Sequence, residues 1–166
     1  MARNPIDQLE EDWKRELPDL DTQAMTTVAR LNRTMGLLRG LIERHMNTND
    51  SSLAEFDVLS ALRRSKPPHE MKPSAIAKAT MLSPSGMTHR IDQLETAGLL
   101  ERVPDPTSRR TAPVGLTKRG RTKAEHLARS LAEVETNALQ TLTDREHAQL
   151  DKLLSKLLSG LETGAD

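Results

Sequence analysis

Small hydrogen-bonding side chains are concentrated between positions 83 and 89, and their chemistry suits the edges of nucleic-acid bases. Serine and threonine hydroxyls can donate or accept a hydrogen bond, and an imidazole can donate to guanine or accept from a base amine. On one helical face these side chains meet no bulky apolar group, so that face can approach a base pair. The candidate DNA-binding residues of this cluster are Ser83, Ser85, Gly86, Thr88 and His89.

The cluster lies at the start of a predicted helix whose other face is apolar. Met87, Ile91 and Leu94 recur at i, i+4 and i+7, which is typical of a buried helix face. Ser83 is a good N-cap for this helix, and Gly98 ends it. Because the apolar face must be buried, the polar face is expected to point outward.

A shorter helix is predicted directly before it. Pro73 suits the first helical position, and Ala75, Ile76 and Ala79 form a small apolar face. Residues 81–82 make a tight connection between the two helices. The sequence therefore predicts a helix-turn-helix whose second helix is presented to a DNA groove.

Two short strands, Leu99 to Val103 and Val114 to Leu116, are predicted to follow the helix pair. The loop between them is rich in turn-forming residues and carries Arg109 and Arg110. A guanidinium at the tip of such a wing suits a narrow, electronegative minor groove. Pro113 lacks the N–H that the return strand should donate, which indicates an edge position or a bulge.

The charge is distributed unevenly along the chain. The 166 residues carry 24 Lys and Arg against 24 Asp and Glu, so the formal net charge is zero. Residues 61–123 hold 13 basic against 5 acidic residues, a balance of +8, and the remainder holds 11 against 19, a balance of −8. A basic excess over the predicted helix-turn-helix and wing favours binding to DNA phosphates, although an ordinary solvated surface is the alternative.

Composition excludes several other classes of protein. Cysteine is absent, which excludes disulfides, thiolate metal sites and cysteine-based redox sensing. The five histidines are dispersed without metal-ligand spacing, so neither a metal nor a cofactor is expected. No catalytic motif is present, so the chain is not expected to be an enzyme. The sequence contains neither a signal-peptide pattern nor a membrane-spanning run, and a cytoplasmic location is expected.

Helices are predicted on both sides of the winged region. An N-terminal helix opens at Asn4-Pro5 and is followed by a long helix that ends near Met46. A third helix opens with the capping box Ser52 to Glu55. After the wing, a long helix capped by Thr117 contains Gly120, which should lower its stability, and a leucine-rich last helix opens with a capping box at Thr143 and Glu146.

The apolar faces of the first two and last two helices favour a dimerisation layer, with packing inside one subunit as the alternative. The predicted fold class is mainly α, a winged helix-turn-helix with a small β-wing. It forms one domain, 1–166, with N-terminal helices in 1–47, the winged helix-turn-helix in 52–117 and dimerisation helices in 118–162.

The segment MLSPSGMTHRIDQLETAGLLERVPDPTSRR, running into VGLTKRGR, resembles the winged helix of the MarR family of bacterial transcription regulators. The resemblance implies a homodimeric DNA-binding regulator, most often a repressor, that binds a palindromic operator. It matches Arg110 to the arginine of the family's Asp-x-Arg wing motif, whereas Ser108 stands where that motif has its aspartate.

Three further segments, EDWKRELPDLDTQAM, EFDVLSALRRS and MTHRIDQLE, resemble the urate-responsive branch of the family. That resemblance implies a ligand site at Trp13, Asp57 and Arg90, although Leu17 stands where several members of the branch have an arginine. A planar anionic purine could stack on the indole and accept two hydrogen bonds from the guanidinium. The alternative is a structural Asp57–Arg90 salt bridge without a ligand.

The sequence thus predicts a homodimeric regulator that binds double-stranded DNA and is released by a small anionic or aromatic effector such as urate. No membrane association is expected. The alternative is a helical interaction module, without a ligand response, whose winged helix contacts protein.

Overall fold

The computed structural model describes residues 4–80, 84–104 and 111–164, and within these ranges the chain is mainly helical. This confirms the predicted fold class. The helices are α1 (Pro5–Glu16), α2 (Gln23–Thr48), α3 (Leu53–Arg64), α4 (Pro73–Thr80), α5 (Pro84–Thr96), α6 (Lys118–Leu139) and α7 (Asp144–Thr163). The strands are β1 (Glu70–Met71), β2 (Leu100–Arg102) and β3 (Val114–Leu116).

The chain divides into two compact units, residues 1–44 and residues 45–166. The first unit contains α1 and most of α2. The side chain of Asn4 caps α1 by accepting a hydrogen bond from the Ile6 N–H. An ion pair of 2.9 Å between Arg30 and Asp7 links the two helices of this unit.

Helix starts in the second unit follow the predicted capping signals. Ser52 and Glu55 form a capping box at α3, and Thr143 and Glu146 form another at α7. The hydroxyl of Thr117 caps α6 by accepting from the Gly120 N–H at 3.0 Å. These starts were predictable because each one depends on residues only three positions apart.

The three strands form an antiparallel sheet in the order β1-β3-β2. β1 was not predicted, and it makes β3 the central strand by pairing Met71 with Val114. The predicted edge position or bulge at Pro113 is therefore wrong. Pro113 lies just before β3 and opposite Val103, whose N–H donates to the Pro113 carbonyl at 2.8 Å. Because proline has no N–H to return this hydrogen bond, the ladder ends at this pair.

The core of the second unit forms where α3 packs against α4 and α6, and α4 packs against α5. Its buried side chains include Val58, Leu59, Leu62, Ile76, Met87, Ile91, Leu94, Val114 and Leu127. The predicted apolar face of α4 is partly wrong, because Ile76 and Ala77 are buried whereas Ala75 and Ala79 are exposed.

Gly120 lies where α6 crosses the start of β2. A Cβ built on Gly120 would lie 1.9 Å from the carbonyl oxygen of Leu99, which is far inside contact distance. The sequence identified this glycine only as a source of instability. The structure shows that it permits the close approach of a helix to a backbone carbonyl.

α7 differs from the other helices of its unit because none of its residues is buried. Its apolar side chains, between 36% and 65% exposed, are Leu150, Leu153, Leu154, Leu157, Leu158 and Leu161. No helix of the described ranges is both long enough and apolar enough to span a membrane.

Candidate DNA-binding and effector sites

The orientation of α5 follows from its apolar face. Met87, Ile91 and Leu94 are each at most 1% exposed, so the helix is held against the core along its length. Thr88 is half-buried and His89 is exposed on the other side. The outward polar face that the sequence predicted is therefore present at these two positions.

Of the remaining predicted DNA-binding residues, some lie in the first turn of α5 and the others lie outside the described residues. Gly86 lies in the first turn of α5 and is partly exposed. The backbone of Ser85 belongs to the same turn. Ser83 and the wing residues Ser108, Arg109 and Arg110 lie outside the described residues. Their assignment to DNA contacts stays a prediction from the sequence.

An ion-pair cluster links the wing to α5. Arg102, in β2, donates to the carboxylates of Glu95 at 3.0 Å and Asp92 at 2.5 Å, both on α5. The Arg102 side chain is only 10% exposed, so its charge is compensated mainly by these partners. Sequence analysis did not identify this cluster. The available signal was an acidic pair spaced i, i+3 on a helix, followed by a strand that carries one arginine.

A cleft of about 360 Å³ opens between the start of α4, the first half of α5 and the base of the wing. Its walls carry one cation and several hydroxyl groups, from Lys72, Ser74, Thr88 and Thr111. Met87 and Ala77 close its floor with apolar contacts. The cleft therefore combines positive charge with hydrogen-bonding groups beside the outward face of α5.

Asp57 is the candidate effector residue with a distinctive environment. It lies half-buried on α3, and burial raises the pKa of its carboxyl above the ordinary value, while the guanidinium charges of Arg64 and Arg90 oppose this rise. Among the described residues no ion pair within 4.0 Å joins Asp57 to Arg90. The direct Asp57–Arg90 salt bridge offered as the structural alternative is therefore not formed here.

Arg64 is the stronger electrostatic partner of Asp57, and sequence analysis missed it. It follows Asp57 by seven positions on α3, so the two side chains share a helix face. The Arg64 guanidinium is held by a hydrogen bond to the Ser60 carbonyl at 3.1 Å. The i, i+7 spacing of Asp57 and Arg64 indicates this pair, whereas the resemblance to the urate-responsive branch implies Arg90.

A cleft of about 540 Å³ lies between α3 and α6 beside Asp57. Asp57, Ser60 and Arg64 line one wall, and Ala128 and Leu131 contribute apolar surface to the other. Arg63 is engaged at its side by Glu125 at 2.8 Å. This cleft offers a carboxylate acceptor, a guanidinium donor and apolar contact to a small ligand.

Trp13, the third predicted ligand residue, belongs to the other unit of the chain. It lies on α1 in residues 1–44, and its side chain is 37% exposed. Leu17 is the C-cap residue of the same helix and is also exposed. Asp57 and Arg90 belong to residues 45–166, so Trp13 stays a ligand-binding prediction from the sequence.

Within the described ranges no group of three or more His, Asp or Glu side chains is arranged to hold a metal ion. His45 and His126 instead take part in hydrogen bonds at the end of α2. The His45 ring nitrogen lies 3.0 Å from the Ser130 hydroxyl, and that of His126 lies 3.1 Å from the Asn49 side-chain oxygen.

A helix-turn-helix followed by a β-wing, with an outward polar face on its second helix, is the architecture of a DNA-binding regulator. Residues 49–111 match the sequence profile of the MarR family. The chain is 31% identical over 152 residues to the HTH-type transcriptional regulator PecS of Dickeya dadantii, with 92% of each chain covered. The chain belongs to the MarR family of transcriptional regulators.

Solved structures agree on the fold. The complex of a mutant Escherichia coli MarR with operator DNA superposes with a TM-score of 0.67 and 24% identity, covering 84% of this chain and 99% of that one. BpsR of Bordetella bronchiseptica superposes with a TM-score of 0.68 and 24% identity, covering 79% and 97% of the respective chains. Its structure is described as explaining how 6-hydroxynicotinic acid regulates DNA binding by BpsR.

Proposed function

We propose that this MarR-family protein is a homodimeric transcription repressor that binds a palindromic operator and is released by a small anionic ligand such as urate. The observation that carries the proposal is α5. Its apolar face is wholly buried, so its polar residues are fixed outward beside the wing and beside a cleft that contains a cation. This arrangement suits insertion into a major groove.

Contacts to DNA are assigned to two places. The start of α5 would contact base edges, and the wing would contact the minor groove next to it. The residues assigned to these contacts are Ser83, Ser85, Gly86, Thr88, His89, Arg109 and Arg110. None of the α5 groups is bidentate like arginine, so each base contact should be modest and affinity should depend strongly on phosphate contacts.

A second copy of the chain is the proposed partner of the exposed leucine face on α7. Six leucines of α7, all at least 36% exposed, leave an apolar helix face open to water, and exposed apolar patches of this kind often mark protein–protein contacts. A two-fold dimer would present two copies of α5 to successive major grooves about 34 Å apart, which explains why a palindromic operator is proposed.

The effector is proposed to bind at Asp57 and Arg90, with Trp13 supplied by the N-terminal unit and Arg64 as a further cation. The Asp57 carboxyl is partly desolvated and forms no ion pair with another described residue, so it is available to accept a ligand N–H. Arg90 lies on α5 itself, so a ligand that draws this side chain would change how α5 meets DNA. BpsR, which shares the fold, offers a precedent for control by a small aromatic acid.

Fluorescence anisotropy tests the proposal directly. Purified protein is titrated onto labelled DNA from upstream of its own gene at two salt concentrations, and urate or xanthine is then added. We expect tight, salt-sensitive binding that urate releases more effectively than xanthine. Variants at Trp13, Asp57 and Arg90 should bind the same DNA but respond less to urate.

The outcomes separate the parts of the proposal. Binding that ignores urate would retain the DNA-binding regulator and remove urate as the effector. Normal urate release in all three variants would remove this ligand site. Failure to bind any duplex, independent of salt, would favour the alternative, a winged helix that contacts protein.

A further inference from the structure

β1 fixes the position of Lys72 relative to the wing. Met71, the last residue of β1, pairs with Val114 at the start of β3, and Lys72 follows at once. On its other side, the Lys72 carbonyl accepts hydrogen bonds from the N–H groups of Ala75 and Ile76 at 2.9 and 3.1 Å. The backbone of this lysine is therefore held by a strand and a helix at once.

Lys72 is one of the residues that line the cleft beside α5. The same cleft is lined by the hydroxyl-bearing residues Ser74 on α4 and Thr88 on α5, and by Thr111 at the base of the wing. Lys72 itself is exposed and forms no ion pair with any described residue. A lysine without an ion pair to a described residue thus lies beside hydroxyl-bearing residues where α4, α5 and the wing converge.

We propose that Lys72 binds a phosphate of the operator backbone in this cleft and so adds sequence-independent affinity beside α5. The proposal rests on the proposed function, which it extends to a residue outside α5 and the wing tip. A lysine ammonium acts as a flexible point charge, which suits a phosphate rather than a particular base edge. Hydroxyls of Ser74 and Thr88 can donate to the same phosphate oxygens.

A salt titration of operator affinity tests the proposal with a matched control. Lys72→Gln removes the charge. The control, Lys78→Gln, removes the charge of an exposed lysine in the last turn of α4, outside the cleft. In a dimer, the loss of two phosphate contacts should reduce the slope of log K against log salt by about 1.8. The ratio of wild-type to Lys72→Gln affinity should therefore shrink about tenfold between 50 and 200 mM salt.

Three further readouts distinguish a phosphate contact from a structural role. Lys72→Arg should restore the wild-type slope, since it retains the charge. The preference for operator over scrambled DNA should be the same in Lys72→Gln and wild type, because a phosphate contact carries no sequence information. Thermal unfolding should also be the same in both proteins.

Three results would overturn this assignment, and a fourth would also reject the proposed function. A Lys72→Gln slope equal to that of wild type, or a loss of slope equal to that of Lys78→Gln, removes Lys72 as a phosphate contact while the regulator stands. Loss of operator preference in Lys72→Gln would make it a specificity residue instead. Salt-insensitive or absent binding by the wild-type protein would reject the proposed function together with this inference.

Discussion

α6 and α7 have similar sequence patterns, but α6 has buried residues and α7 has none. Their lengths are 22 and 20 residues, and each starts with a threonine cap followed by an apolar stripe. α6 buries Ala124, Leu127 and Leu131 against α3, whereas α7 buries none of its residues. An amphipathic pattern therefore predicts that a helix needs a partner, but it does not say whether the partner lies in the same chain.

The difference has a thermodynamic consequence. Contacts of α6 form within one chain, so their contribution to stability does not depend on protein concentration. If α7 packs on a second copy, its contribution grows with concentration by mass action. Each of the following substitutions tests one side of this contrast, in order of decreasing expected effect.

The largest effect is expected on α7. The double substitution Leu154→Glu and Leu158→Glu places charges in the exposed leucine face, and burying them in an apolar interface costs about 3 kcal/mol or more. The dissociation constant of the proposed dimer should rise at least a hundredfold, which analytical ultracentrifugation can measure. Ser159→Glu, on the opposite face of α7, is the control and should leave the dimer intact. An unchanged dimer in the double variant would show that α7 is not the interface.

Gly120→Ala, on α6, should lower the free energy of unfolding by about 3 kcal/mol. The new methyl group would meet the Leu99 carbonyl, which cannot move without displacing β2. Chemical denaturation should give the same loss at every protein concentration. Gly160→Ala is the control, because a Cβ there meets nothing within 4 Å and removes helix-destabilising glycine entropy. Equal effects of the two substitutions would contradict the close approach at Gly120.

The extent to which the sequence predicted this fold depends on the range of the interactions. Capping boxes at Ser52 and Thr143 were predicted correctly, since they involve neighbours in sequence. β1 was missed because two residues become a strand only through pairing with β3, more than forty positions away. The requirement for glycine at position 120 depends in the same way on Leu99.

The candidate sites show the same difference between contacts within one element and contacts between elements. The outward face of α5 was predictable from the spacing of Met87, Ile91 and Leu94 within one helix. The partners of Arg102 were not, because their contact forms between a helix and the strand that follows a turn. Lys72 had no sequence signal at all, since its position depends on the unpredicted strand β1.

Arg102→Met should lower the free energy of unfolding by about 1–3 kcal/mol, because Asp92 and Glu95 lose the cation between them. This substitution tests whether the ion pairs between β2 and α5 form within one chain. Arg102→Lys should recover part of the loss, since an ammonium cannot reproduce a guanidinium contact to two carboxylates. Denaturation at two protein concentrations is the measurement, and a concentration-dependent loss would place Arg102 in the assembly instead.

The smallest effect is expected at Asp57, on the α3 wall that faces α6. Burial raises the pKa of this carboxyl, so the folded protein holds the proton more tightly than the unfolded chain. The resulting penalty is absent below the ordinary aspartate pKa of about 4 and develops as pH rises through the folded-state pKa. Asp57→Asn should therefore melt at a higher temperature than wild type at pH 7, with no gain near pH 3. A lower melting temperature at pH 7 would show that the ionised carboxylate is stabilising.

A single residue, Thr117, separates β3 from α6, and it is held at three points. Its N–H donates to the Leu99 carbonyl at 3.1 Å, its hydroxyl donates to the Gly98 carbonyl at 2.8 Å, and the same hydroxyl caps α6. These three hydrogen bonds therefore fix the orientation of α6 relative to β3. Insertion of one glycine after Leu116 should therefore free the orientation of α6 from that of β3.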